Sequence, residues 1–317
     1  MMDNKKTNQE IQKSAIKVHS HLVNTGMTAV SNKTNIICLK SSIFMKAYEI
    51  KILNPDSRIK KEIIEYLCAN LAQSRISYNS VQDRMILSAF FDEQDIEAAY
   101  YKFEKFEKEM DIFSNSRIDI QNMDIKNLLK TISVNFDKQN KKLSAKEILI
   151  TRGSFKTKIL PSLKSTDENI LYESASGKYV TSLCCMQYPE KGVNLSAFLK
   201  LLKDCEIQST LELFRYSEDE WQMYCNYLAK RYNTRIDVDK QRIPVTTGMA
   251  FVIKHTDKEK LDECVDKFIN YAKEQNYVIS PVFKQTKALY EDIGALGTMP
   301  RCQKMRNTNI NVVKELL

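Results

Sequence analysis

The twelve residues Lys178–Pro189 (KYVTSLCCMQYP) constrain the fold of this chain more than any other stretch. Valine, threonine, leucine, paired cysteines and two tyrosines, stopped by a proline, describe a buried β-strand. A helix follows at once. In Asn194–Glu206 the residues Leu195, Phe198, Leu199, Leu202 and Cys205 recur three or four apart and form one apolar stripe. Ser209–Arg215 (STLELFR) then predicts a second strand, with Leu211 and Leu213 on one face. A strand–helix–strand unit buries its apolar surfaces by laying the helix across a sheet, which directs the chain toward an α+β fold.

The signals that follow extend this unit. Glu218–Lys230 carries Trp221, Tyr224, Cys225 and Leu228 along one side and reads as a helical insertion. Gly248–Lys254 (GMAFVIK) is the third strand. Asp257–Lys273 has Leu261, Cys264, Val265, Phe268, Ile269 and Ala272 in helical register. Tyr277–Phe283 is the fourth strand, and its Pro281, which cannot donate to a ladder, places it at an edge or a strand end.

The first half has the same order in weaker form. Met45–Leu53 alternates as a strand, and Asn54-Pro55-Asp56 is a turn. A helix capped by Asp56 or Ser57 runs to about Arg75, with Ile59, Ile63, Ile64, Leu67, Cys68 and Leu71 inward. Met85–Phe91 is a strand buried on both faces. Asp92 or Asp95 opens a helix with Ile96, Ala99, Tyr100, Phe103, Phe106 and Met110 inward. Weaker strands are predicted at Ile76–Asn79 and Arg117–Ile120, and a short one at Asn35–Leu39. Both halves thus read β-α-β-β-α-β. The predicted fold is α+β: two ferredoxin-like (split βαβ) modules joined by a helical, basic linker. The expected divisions are an N-terminal subdomain at 1–120, a linker at 121–165 with a helix around Ile125–Ile132, and a second subdomain with a C-terminal junction segment at 166–317.

Charge and cysteine usage bound the partners and the compartment. Of the net charge of +8, the segment Lys138–Lys164 holds +7. Lys138, Lys141, Lys142, Lys146, Arg152, Lys156, Lys158 and Lys164 stand there against the single acid Glu147. The plain reading is a solvated connector. The sharper one is a contact with an anionic membrane surface or DNA, where each Lys or Arg contributes about 1 kcal/mol. The eight cysteines have no metal-ligand spacing, and Cys184 and Cys185, adjacent on a strand, point to opposite faces. With no signal peptide and no run near the ~20 apolar residues of a spanning helix, a reducing cytoplasm is the expected setting.

The chain does not match the common catalytic motifs. Gly177-Lys178 is followed by Tyr179, and Tyr172 stands where a Walker A loop needs glycine. No G-x-G-x-x-G, G-x-S-x-G or H-E-x-x-H occurs. His19 and His21, two apart on a predicted helix, share no face. His255 ends a strand with no spacing that ties it to a cysteine or carboxylate. RNA-recognition aromatic motifs are also missing, so fold order alone does not license an RNA function.

Three stretches carry a family likeness. They are ILPSL at Ile159–Leu163, GKYVTSLCCMQYPEKGVNLSAFLKLL at Gly177–Leu202, and FKQTKALYEDIGALGTMPRCQKMRNTNINVVKELL at Phe283–Leu317. In this ordering the chain resembles the N-terminal region of the type IV secretion ATPases, the CagE/TrbE/VirB class of conjugation motors. In that family the ATP-binding motor follows the region that ends here. The resemblance therefore implies an N-terminal, truncated or excised part with no catalysis and no cofactor of its own, ATP being bound by an absent C-terminal domain. It implies docking to other subunits of a conjugation or secretion complex, self-association, and a cytoplasmic position peripheral to the inner face of the cell membrane. Tyr179 and Pro189 bracket the central strand, Gln285 opens the helix after the fourth strand, and Pro300 and Arg301 lie at the junction with a motor. These five are the candidate interaction residues, each weighed against ordinary packing or turn formation. The competing reading is a basic nucleic-acid-binding module; an enzyme with a site outside known motifs is the third.

Overall fold

The computed structural model describes residues 27–31, 33–39, 42–53, 66–67, 70–113, 118–136, 160–187, 205–215, 245–298 and 308–309, with isolated positions between 219 and 230. In chain order the strands of the first half are β1 (Met27–Ser31), β2 (Ile36–Leu39), β3 (Ile43–Ile52), β4 (Gln73–Asn79), β5 (Arg84–Asp92) and β6 (Ile118–Asn122). Helix α1 (Ile96–Phe113) lies between β5 and β6, and α2 (Ile125–Asn135) follows β6. The second half has β7 (Leu163–Ser165), β8 (Ile170–Glu173), β9 (Lys178–Gln187), β10 (Glu206–Arg215), β11 (Val245–His255) and β12 (Val278–Pro281). Helix α3 (Lys258–Glu274) precedes β12, α4 (Thr286–Gly294) follows it, and β13 (Thr308–Asn309) comes last.

All of these strands belong to one 13-stranded sheet. Its main path runs β1-β2-β3-β5-β4-β10-β11-β9-β8-β7, with β6 on β3, β12 on β9 and β13 on β11. The ladders are antiparallel, from β1–β2 to β8–β9. The pairing order is the same on both sides of the centre. β3 shares one edge between β2 and β6, and β9 shares one edge between β8 and β12. At the centre β4 and β10 pair from Gln208↔Asn79 to Phe214↔Gln73, with Ile76 opposite Leu211.

The chain therefore does not fold as two ferredoxin-like modules joined by a helical, basic linker. An antiparallel ladder runs where a boundary between modules would have to lie. Each half also carries a hairpin strand outside the β-α-β-β-α-β order: β2, which matches the short strand expected at Asn35–Leu39, and β8, which was not expected. The physical reason is the unpaired backbone of an edge strand, which is satisfied here by the equivalent strand of the other half. Gln73–Arg75, expected to end a helix, instead form the start of β4, paired on one side to β5 and on the other to β10.

Side-chain alternation sends the two faces of the sheet to different helices. Tyr48, Leu87, Ile76, Leu211, Leu183 and Phe251 meet α1 and α3, whose Phe103, Phe106, Leu261 and Phe268 are buried in the same cluster. Met45, Ile86, Phe90, Val180, Ala250 and Val252 face α2 and α4 through Leu128, Leu129, Ile132, Leu289 and Ile293. Each of the larger side chains, leucine, isoleucine, valine, methionine or phenylalanine, contributes about 1.5–3 kcal/mol by leaving water. Asp95 accepts from the Ala98 N–H at 2.8 Å and opens α1, and Asp257 accepts from Glu259 N at 2.9 Å and opens α3. Asn276 at φ 62° ends α3 in the left-handed region, and Tyr277 N donates back to Ala272 O at 2.8 Å. Cys205, just before β10, is bridged to Cys264 of α3 by a disulfide, a departure from the reducing setting expected from the scattered cysteines.

Candidate functional site

The feature that departs most from a plain packed sheet is a buried polar junction on the α2/α4 face. It begins with the seam strands. β4 points Gln73, Arg75, Ser77 and Asn79 to this face, and β10 points Gln208, Thr210 and Glu212 there, all buried. Polar side chains so far from water must find partners or destabilise the fold.

The partners come from the ends of two helices. The C-termini of α2 and α4 abut so closely that a Cβ on Gly294 would lie 2.5 Å from the Phe136 ring. Asn135 Nδ2 donates to Gly294 O at 2.9 Å, and the rings of Phe136 and Tyr290 meet edge to face at 5.2 Å. A helix C-terminus carries roughly half a negative charge, so bringing two together calls for cations. Two are present, one for each end. Arg75 Nη1 donates to Asp292 O at 3.0 Å and to Asp292 Oδ1 at 2.7 Å. Lys254 Nζ donates to Asn135 O at 2.8 Å and lies 4.7 Å above the Tyr290 ring.

Three carboxylates complete the cluster. Arg75 Nε donates to Glu212 Oε1 at 3.0 Å, and Nη2 pairs with the same oxygen. Lys254 lies 3.9 Å from Glu173 Oε2, to which Tyr290 OH also donates at 3.4 Å. The side chains of Arg75, Lys254, Glu173, Glu212 and Asp292 are each at most 3% exposed. Burial pulls the Arg75 guanidinium down, but Asp292 and Glu212 outweigh it and hold the pKa above its ordinary value. Around this core Gln208 Nε2 donates to Asn135 O at 2.7 Å, Asn79 Nδ2 to Asn135 Oδ1 at 2.7 Å, and Ser88 Oγ to Leu296 O at 2.7 Å. Chemically the arrangement is a lock. Its charged groups are directed at one another and at helix ends, across the line where the two halves meet.

The residues singled out from sequence lie elsewhere. Tyr179 is half-buried on β9, opposite Tyr172 on one side and His255 on the other, with the two tyrosine rings 5.2 Å apart. Gln285 stands at the N-cap of α4, where its carbonyl accepts from Leu289 N. Lys164 is exposed on β7. Pro189, Pro300, Arg301, His19, His21, Lys138, Lys141, Lys142, Lys146, Arg152, Lys156 and Lys158 lie outside the described residues. His255 Nδ1 accepts from Asp257 N at 2.8 Å, a local turn contact. The structure does not bring Tyr179, Gln285 and Lys164 together into a site. The junction residues Arg75, Glu212, Asp292, Lys254, Glu173 and Asn135 were not among the candidates, although polar residues on alternate positions of STLELFR and QSRISYN were visible in the sequence.

No family model matches this chain, and no curated protein is significantly similar to it. Among the described residues no helix is long and apolar enough to cross a membrane, and no cluster of three metal-ligating side chains occurs.

Proposed function

We propose that the chain is an assembly and docking module, the N-terminal part of a conjugation (type IV secretion) ATPase. In this reading it holds subunits of a membrane-associated transfer apparatus together and leaves chemistry to a motor. The partners, self-association and a cytoplasmic position at the inner face of the cell membrane belong to the same proposal. Two things support it: the likeness carried by Ile159–Leu163, Gly177–Leu202 and Phe283–Leu317, and the use of the buried charges. Arg75, Lys254 and their three carboxylates join the halves into one stiff platform, as a mounting surface requires. That second observation carries the reading.

The sheet's outer strands bear on how docking would occur. β7 is three residues long and exposes Lys164, β1 has an irregular register between Met27 and Ala29, and β12 contains Pro281. Short, bulged and proline-bearing edges discourage open-ended strand addition. Docking is therefore assigned to the helix-covered faces and to the segments that follow them, Arg301 included.

The test is co-expression of the full chain with apparatus subunits and with the motor, followed by sedimentation of the purified chain and its complexes. A stable complex or oligomer weakened by Arg301→Ala, with the fold intact, is the expected result. A strict monomer that binds none of them contradicts the proposal. A monomer that instead shifts DNA, with log affinity falling steeply against log salt, selects the nucleic-acid-binding reading.

A further inference from the structure

A small cavity of about 10 Å³ opens inside the junction, lined in part by Ser77, Asn79, Thr131, Asn135, Gln208 and Ile293. Its size is that of about one water-sized sphere. Gln208 is only 6% exposed. Its Nε2 is committed to Asn135 O, which fixes the amide orientation, because a carbonyl oxygen needs a donor. Oε1 is then a buried acceptor with no hydrogen-bond partner among the described residues.

Donors stand nearby on both seam strands, Ser77 and Asn79 on β4 and Thr210 on β10. The hydroxyls of Ser77 and Thr210 lie 3.3 Å apart, where either can donate and one hydrogen is left over. Asn79 Nδ2 gives one hydrogen to Asn135 Oδ1 and has a second. One acceptor and two donors around a single-sphere space match the two to four polar partners of a typical buried water. An apolar occupant would leave Oε1 unsatisfied.

We propose that this cavity is a hydration site. One buried water donates to Gln208 Oε1 and accepts from Asn79 Nδ2 or Ser77 Oγ, and so bridges β10 of one half to β4 of the other. A crystal structure of the full chain at about 1.8 Å or better should show a discrete peak within hydrogen-bond distance, about 2.6–3.2 Å, of Gln208 Oε1. An empty cavity, or a Gln208 whose Oε1 meets a protein donor instead, overturns the proposal. In solution, magnetic relaxation dispersion counts long-lived internal waters. Gln208→Met keeps the side-chain length but removes the acceptor, and the count should fall by one. An unchanged count in the folded variant contradicts the bridge, and if that variant does not fold the crystal structure decides alone.

Discussion

The two faces of the sheet are held by different chemistry. Under α1 and α3 the contacts are apolar and local: α1 packs on β2, β3 and β5, and α3 on β9, β11 and β12. Phe91 meets Phe103 at 4.9 Å in one half, and Phe251 meets Phe268 at 4.9 Å in the other. Among the described residues, the one deeply buried cation on that face, Lys46, pairs with Glu107 at the rim. Under α2 and α4 an apolar cluster is also present, but at the seam it gives way to charged, long-range contacts that join Arg75 to Asp292 and Asn135 to Lys254. Apolar packing builds each half and continues across the seam at Ile76 and Leu211, and the polar junction adds a second coupling on the α2/α4 face. A one-residue slip of β10 against β4 would turn Glu212 and Leu211 to each other's faces. We take the junction to specify that register, since a buried charge tolerates fewer partners than a leucine does.

The comparison breaks most visibly at Arg75. Arg75→Met leaves Glu212 and Asp292 buried without their cation and should cost about 3–5 kcal/mol in denaturant unfolding. Phe268→Ala should cost a similar ~3–5 kcal/mol, but its loosening should stay within the second half, whereas Arg75→Met should loosen both. A loss confined to the first half in Arg75→Met would show that the junction does not couple them.

Next in size is the Cys205–Cys264 bridge. Reduction, or Cys264→Ser, should lower stability by about 2–4 kcal/mol through the freed unfolded chain, read as a lower melting temperature under reductant. No change in melting temperature would mean that packing on β9, β11 and β12 alone holds α3 on the sheet. Gly294→Ala forces a methyl into the Phe136 ring and should cost about 1–3 kcal/mol by overpacking. The double variant with Phe136→Leu should recover part of this, and no recovery would show that the helix ends are not in tight contact.

The smallest effect is alkaline and sharpens the contrast between the faces. Burial, then Glu107, holds Tyr48 under α1 well above the usual phenol range. Burial and the hydrogen bond to Asp83 push Tyr78 up to about 12. A raised folded-state pKa means that these groups stabilise the fold fully below pH ~10 and lose that contribution as pH rises further. Ultraviolet titration should therefore show late-ionising tyrosines, with the α1 face loosening while Arg75 stays charged. Normal titration of every tyrosine in the folded protein would contradict this.

Much of the α1/α3 face was legible in the sequence, because its signals are periodic. Ala99, Phe103, Phe106 and Met110 on α1, and Leu261, Cys264, Val265, Phe268 and Ala272 on α3, are buried as their spacing predicts. β9, β10 and β11 also follow from apolar runs. The seam was not legible. Gln73–Asn79 (QSRISYN) is polar on one of the two faces it buries, so alternation yields only the weak strand expected at Ile76–Asn79, and the apolar stripe ending at Leu71 invites a helix to run on through Arg75. The partners of Arg75 lie 137 and 217 residues away, at separations that no local pattern encodes. Periodicity gives the order of elements but leaves open which edges pair. That is why two separate modules were expected where the strands join into one sheet.

The central claim is that the β4–β10 ladder makes the halves one body, and native-state hydrogen exchange tests it most directly. The account predicts that the paired backbone amides of Gln73–Asn79 and Gln208–Phe214 are among the slowest to exchange, and that they open with the same free energy as the strands flanking them. Fast exchange along this ladder, with β3–β5 and β9–β11 still protected, would contradict it.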